Sequence, residues 1–283
     1  MEAVHMRNGE DKLQHNLNKV PAVSLLFWIT KLISTGLGES VSDFSNGIFG
    51  KQNLVMGAFF TISWSFVLFA VFLTLQIRSD RYRPLYYWMS VALLAVFGTF
   101  IVDAVRAVTG LSYMETTTLF TILMIISFVG WYVATNDLSV HRITTIKKEI
   151  FYWLTVASSF ILGTATGDWF ASKRATDFIK GGLGLGYLDA GLVFGGVFVA
   201  ILAYRIVINP KLNSRSEITT FWLAYVLTRP VGASFADYFG YSFHNGVLGN
   251  KGMSAIWIIL FVIGLMINIK RKNQEETLGL KTD

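Results

Sequence analysis

The chain has 283 residues, of which 53% are hydrophobic and 15% charged, with a formal net charge of +6 and no cysteine. A soluble domain carries roughly 25% charged residues, so this composition excludes an ordinary soluble fold. The lack of cysteine excludes disulfides, thiolate metal ligands and a cysteine nucleophile.

The apolar residues fall in blocks of about 20, the length that crosses the hydrocarbon core as helix. Residues 1–20 are a polar tail without an apolar h-region, so no cleavable signal peptide is expected and the first span must itself direct insertion. Eight spans follow: Pro21–Phe44, Leu54–Ile77, Leu85–Val108, Thr116–Ala134, Ile150–Ala171, Leu188–Ile208, Ile218–Phe239 and Ser254–Ile269. Residues 21–270 thus form one membrane domain, and 271–283 a second polar tail.

Basic residues sort by connection. Arg7, Lys12 and Lys19 lie in the first tail, and Lys270, Arg271, Lys272 and Lys281 at the other end of the chain. Arg78, Arg81 and Arg83 join spans two and three, Arg142, Lys147 and Lys148 join spans four and five, and Arg205, Lys211 and Arg215 lie in the region from the end of the sixth span to the seventh. The opposite loops hold only Lys51, Arg106, Lys173, Arg174, Lys180 and Lys251. The positive-inside rule then puts both termini in the cytoplasm. The charges set topology and contact anionic lipid, so no nucleic-acid partner is expected.

The odd spans share a signature. Phe27-Trp28, Tyr87-Trp88, Tyr152-Trp153 and Phe221-Trp222 are each followed, ten residues after the tryptophan, by Gly38, Gly98, Gly163 and Gly232. Five residues further on stand Asp43, Asp103, Asp168 and Asp237. One supersecondary unit is therefore used four times, over about 21–80, 81–140, 146–210 and 215–270. Each unit is expected to be a helical hairpin entering from the same side, which makes the repeats parallel. The fold class is an all-α membrane protein of eight transmembrane helices, N-in/C-in. The copies FWITKLISTGLGESVSD, YWMSVALLAVFGTFIVD, YWLTVASSFILGTATGD and FWLAYVLTRPVGASFAD resemble a family of uncharacterised bacterial integral membrane proteins defined by a four-copy repeat of unknown function. The resemblance implies a bacterial cytoplasmic (inner) membrane protein and carries over no substrate and no functional residue.

In each signature the tryptophan and aspartate are about 22 Å apart along a helix. The aromatic pairs read as an interfacial belt that fixes depth. The glycines read as points of close helix approach, or else as places where backbone carbonyls face a cavity. Pro230 is expected to kink the seventh span. A carboxylate in mid-membrane costs on the order of 3 kcal/mol on insertion scales, and parallel repeats put four in one layer. They form either an ion site or a structural ring of partners for basic groups and backbone amides. In the first span Lys31, Thr35, Glu39 and Asp43 step by four and share a face. Glu39 joins the four aspartates as a candidate ligand, with Asp43 and Asp237 as the candidate metal pair. Lys31 and Arg229 are the candidate gating or counter-charges, with acidic partners expected. Five carboxylates against two cations favour a cation or protons over an anion.

Glu115 and Asp189 open helices and read as caps, His244 as a solvated loop residue. Gly181–Gly186 lacks the preceding strand of a nucleotide loop. No enzyme motif is present, and no cofactor is expected. The function expected is secondary transport of a cation, a divalent metal bound by oxygens, coupled to protons. The alternatives are a small-molecule-binding or sensory membrane protein without transport, and an assembly partner of another membrane complex. Oligomeric state stays open.

Overall fold

The computed structural model describes residues 18–50, 54–172, 181–208, 214–243 and 248–279. Most of the first tail, with Lys51, Lys173, Arg174, Lys180, Lys211, His244 and Lys281, lies outside them. Among the described residues there is no strand. Eight long helices follow one another: α1 (Leu25–Phe49), α2 (Leu54–Arg78), α3 (Pro84–Thr109), α4 (Tyr113–Thr135), α5 (Ile146–Ala171), α6 (Gly186–Ala203), α7 (Ser214–Asp237) and α8 (Gly249–Gly279). Single π-turns extend α6 (Tyr204–Ile208) and α7 (Tyr238–Ser242).

Local chemistry sets several ends. The Ser24 hydroxyl caps α1 by accepting from the Phe27 N–H, so the helix starts after Pro21. Pro84 stands in the first turn of α3, where its missing N–H costs nothing. Ser112 and Glu115 form a reciprocal capping box on α4. Gly110 closes α3 in the left-handed conformation that glycine adopts without strain.

Six helices, α2 to α6 and α8, are long and apolar enough to cross a membrane. The other two, α1 and α7, hold Lys31, Glu39, Asp43, Arg229 and Asp237. Lys31, Glu39 and Arg229 are buried inside the bundle, while Asp43 and Asp237 are part-exposed. The odd helices form a ring in which α1 packs on α3, α3 on α5, α5 on α7, and α7 back on α1. The even helices lie outside it. Two thirds of the most apolar stretch of α5 is buried (67%), against 17% for α2. Each outer helix packs most extensively on the inner helix that follows it: α2 on α3, α4 on α5, α6 on α7, and α8 on α1. The main packing partner is thus not the helix expected from an isolated hairpin, and α8 closes the circle onto the first inner helix.

The aromatic pairs correct the belt expectation. All eight residues are buried, Trp88 and Tyr87 completely. They stack in a closed cycle at one end of the ring. Trp88 packs on Phe27 (centroids 5.7 Å), Trp153 on Tyr87 (5.4 Å), Trp222 on Tyr152 (6.1 Å) and Trp28 on Phe221 (5.6 Å). Each tryptophan meets the first aromatic of the preceding copy. Such pairs contribute roughly 0.5–1.5 kcal/mol beyond area burial, and here they join the inner helices to one another.

The signature glycines follow the same cycle one level up. Gly38 abuts Ala95 of α3, and an added Cβ at Gly98 would meet Phe160 Cβ of α5 at 3.5 Å. At Gly163 it would meet Arg229 Cβ of α7 at 2.6 Å, and at Gly232 it would run into Thr35 and the Gly36 N–H of α1. Helix α7 runs on through Pro230, which fits against Gly163 and Gly167 of α5.

Candidate cation site

Beyond the glycines, the C-terminal ends of the inner helices converge and carry the aspartates. Asp237 is the last residue of α7, and Asp168 lies in the last turn of α5. A carboxylate at a helix C-terminus meets the negative end of the dipole, the reverse of the favourable placement. The sequence therefore bears an electrostatic cost here, repeated in more than one copy, and this end of the bundle attracts cations.

Three arrangements share the layer. Glu39 on α1 accepts from Arg229 Nη2 of α7 at 2.5 Å, with Arg229 1% exposed. The same guanidinium donates to Thr99 Oγ1 of α3 at 2.5 Å, and its Nη1 to the Thr35 carbonyl at 3.5 Å. Arg229 thereby ties α1, α3 and α7 together. The second arrangement was not expected. Arg106, counted with the opposite loops although the third span was drawn to Val108, lies inside α3, whose last residue is Thr109. Its Nη2 bridges Asp103 (2.6 Å) and Asp168 (2.6 Å), while its guanidinium lies over the Tyr113 ring at 4.4 Å. The i,i+3 spacing of Asp103 and Arg106 was the available signal.

The third arrangement is the acidic one. Glu39, Asp43 and Asp237 can each bring a carboxylate oxygen within 4.8 Å of the others. Asp43 accepts a hydrogen bond from Tyr241 Oη at 2.8 Å, and Asn250 Nδ2 donates to that hydroxyl at 2.6 Å. Nothing in the signature pointed to Tyr241, which comes from the π-turn after α7. Among the described residues neither Asp43 nor Asp237 has a basic partner. Five carboxylates meet two guanidinium groups in this layer, so the negative excess falls on the Asp43–Asp237 side. Both side chains are part-exposed, in keeping with access from that end.

Lys31 departs from expectation. It is 1% exposed and has no ion pair among the described residues. Its ammonium sits over Phe160 (3.5 Å) and Tyr225 (4.2 Å), a cation–π cradle nearer the aromatic layer than the acids. Of the two expected counter-charges, Arg229 is placed among the carboxylates and Lys31 is not.

No curated protein and no solved structure matches the chain. A family model described as Repeat of Unknown Function (DUF347) matches residues 26–82, 151–209 and 220–273. Those are the first, third and fourth signature copies. The second copy keeps the same spacing at Tyr87-Trp88, Gly98 and Asp103, and α3 takes its place in the ring like the others. On the matches to three of its copies, the chain belongs to the family defined by this repeat of unknown function.

Proposed function

We propose that the protein is a secondary transporter of a small cation coupled to protons, with Glu39, Asp43 and Asp237 as the ion ligands. The observation that supports it is the unequal pairing of the carboxylate layer. Asp103 and Asp168 share Arg106, and Glu39 has Arg229, but among the described residues Asp43 and Asp237 face each other with no cation beside them. Three carboxylates and a tyrosine hydroxyl offer oxygen ligands only, which suit a hard divalent ion such as Mg²⁺, Ca²⁺ or Mn²⁺. Like charges this close favour taking up either a metal ion or protons, and that exchange is the basis of coupling. In this reading all eight helices span a bacterial cytoplasmic membrane, both termini are cytoplasmic, and the carboxylate layer lies toward the outer face.

The test is Mn²⁺ uptake into proteoliposomes with an internal pH dye. Asp43→Asn and Asp237→Asn should each lower uptake at least tenfold, with the associated pH change lost in step. Uptake by both variants at the wild-type rate removes the proposal. The aromatic cycle that closes the opposite end of the ring favours one second reading, a binding or sensory protein that takes a cation without moving it. It predicts saturable Mn²⁺ binding in detergent and no uptake in vesicles.

A further inference from the structure

Each of the four inner helices places one ionisable group in a buried region that begins in the aromatic cycle and extends toward the carboxylates. These are Lys31 on α1, Tyr87 on α3, Tyr152 on α5 and Tyr225 on α7, none more than 1% exposed. The Tyr87 and Tyr152 hydroxyls hydrogen-bond each other at 2.5 Å. Tyr225 Oη is buried beside them without closing a hydrogen bond, and its ring face carries the Lys31 ammonium at 4.2 Å. Thr155 Oγ1, buried on α5, is also without a partner among the described residues.

A buried ammonium with no carboxylate and hydroxyls with no acceptor are costly. Packing alone would be met better by apolar side chains. The signature positions of the other copies show the alternative, since Val91 and Val156 stand where Lys31 and Tyr225 do, three residues after their tryptophans. The region also connects to the cation site. Lys31, Thr35 and Glu39 step by four along α1, and Tyr225 lies one turn below Arg229 on α7. The charged groups facing it from that side are Arg229 and Glu39.

We propose that Lys31 and the hydroxyls of Tyr87, Tyr152 and Tyr225 form a proton relay, a route for protons that the metal ion does not take. The Lys31 ammonium gives a proton to a tyrosine Oη as that hydroxyl passes its own proton on along the hydroxyl chain, and the neutral amine left behind takes a proton from the Glu39 side, so one proton enters and one leaves for each passage. When protonated, Lys31 repels a divalent ion, and among the described residues this region offers no carboxylate to replace that ion's hydration, while a proton needs only the hydroxyl chain. The relay rests on the transport reading above, as the path of the coupled proton.

Tyr87→Phe/Tyr152→Phe keeps both rings and removes the hydroxyl pair, and Lys31→Met removes the amine. Two quantities are read on the full chain: Mn²⁺ affinity in detergent, and proton movement into proteoliposomes driven by a Mn²⁺ gradient. The relay predicts Mn²⁺ affinity within about twofold of wild type in both variants, with proton movement at least tenfold slower. Wild-type proton movement in the double tyrosine variant overturns it, whether or not Lys31→Met folds. A wild-type protein that binds Mn²⁺ but moves no protons also overturns the relay while leaving the cation site intact. Failure of wild type to bind Mn²⁺ overturns the cation site itself, and proton movement under an imposed membrane potential, compared between wild type and the double tyrosine variant, then decides the relay alone.

Discussion

Glu39 and Asp43 stand one helical turn apart on α1, and like charges so placed destabilise a helix by a few tenths of a kcal/mol even when exposed. Burial of Glu39 raises that cost, and Arg229 offsets it at 2.5 Å. Removing one partner of a buried pair costs roughly 3–5 kcal/mol, because the other charge is left uncompensated. Arg229→Met should therefore lower stability in detergent by about that much. Glu39→Gln should cost less, because Arg229 keeps Thr99 and the Thr35 carbonyl as acceptors. The double variant should regain most of the loss. Unfolding free energies that simply add would show that the two residues act independently.

At the scale of elements, the signature glycines are not equivalent. A methyl group at Gly163 has to displace the Arg229 stem, and overpacking of this kind costs about 1–3 kcal/mol. At Gly98 the added carbon meets Phe160 at ordinary contact distance. Gly163→Ala should lower the melting temperature clearly, and Gly98→Ala should leave it within error. Equal losses at both sites would mean that helix spacing is set elsewhere.

The connection after α4 gives a pH-dependent prediction. Partial burial works to raise the pKa of Asp137, but a hydrogen bond from Lys148, the Ser139 N–H, and the charges of Lys148 and Arg142 outweigh it, so the carboxyl lies below its ordinary value. A depressed value means the group stabilises the fold above its unfolded pKa, about 3.9, and loses that contribution as pH falls through the folded value. Asp137→Asn should lower the melting temperature at pH 7 and converge with wild type in the acid range. A constant difference across pH would assign its role to packing.

Much of this architecture is legible in the sequence, and the exceptions have physical causes. Block length marks the spans, and the repeated aromatic pair, glycine and aspartate mark the inner helices. Periodicity along one span does not say which faces meet protein. An inner helix enclosed by the ring buries Trp88 on the same side that a peripheral helix would turn to the head groups, so the pairs read as a belt. Arg106 was hidden by its count among the loop cations: it stands within α3, one turn after Asp103, and bridges Asp103 and Asp168. The charge excess was countable from sequence, and Asp43 and Asp237 were named there as the candidate metal pair, but which acids the two arginines reach depends on how the helices pack.

For the whole molecule, ring closure separates two ends of different chemistry. Lys19 Nζ donates to the Ile77 carbonyl and to Glu149 (2.8 and 2.7 Å), and its N–H to the Ile143 carbonyl at 3.0 Å, while Asn18 accepts from the Tyr82 N–H at 3.3 Å. The first described residues thus tie the α2–α3 and α4–α5 connections together at the basic end, and Arg271 near the end of α8 reaches Ser24 there. The acids, Tyr241 and Arg106 occupy the other end. If the basic end faces the cytoplasm, as positive-inside bias requires, then accessibility across the membrane must alternate with each connection. The absence of native cysteine makes this directly measurable. Asp80→Cys, in the α2–α3 connection, should react with an impermeant maleimide only when the cytoplasmic face is opened. Thr109→Cys, at the far end of α3, should react from outside intact cells. The distance between them is one inner helix, 26 residues, or about 39 Å at 1.5 Å per residue, which is ample to span the hydrocarbon. Labelling of both from the same side would break the parallel-repeat topology, and with it the outward placement of the carboxylate layer.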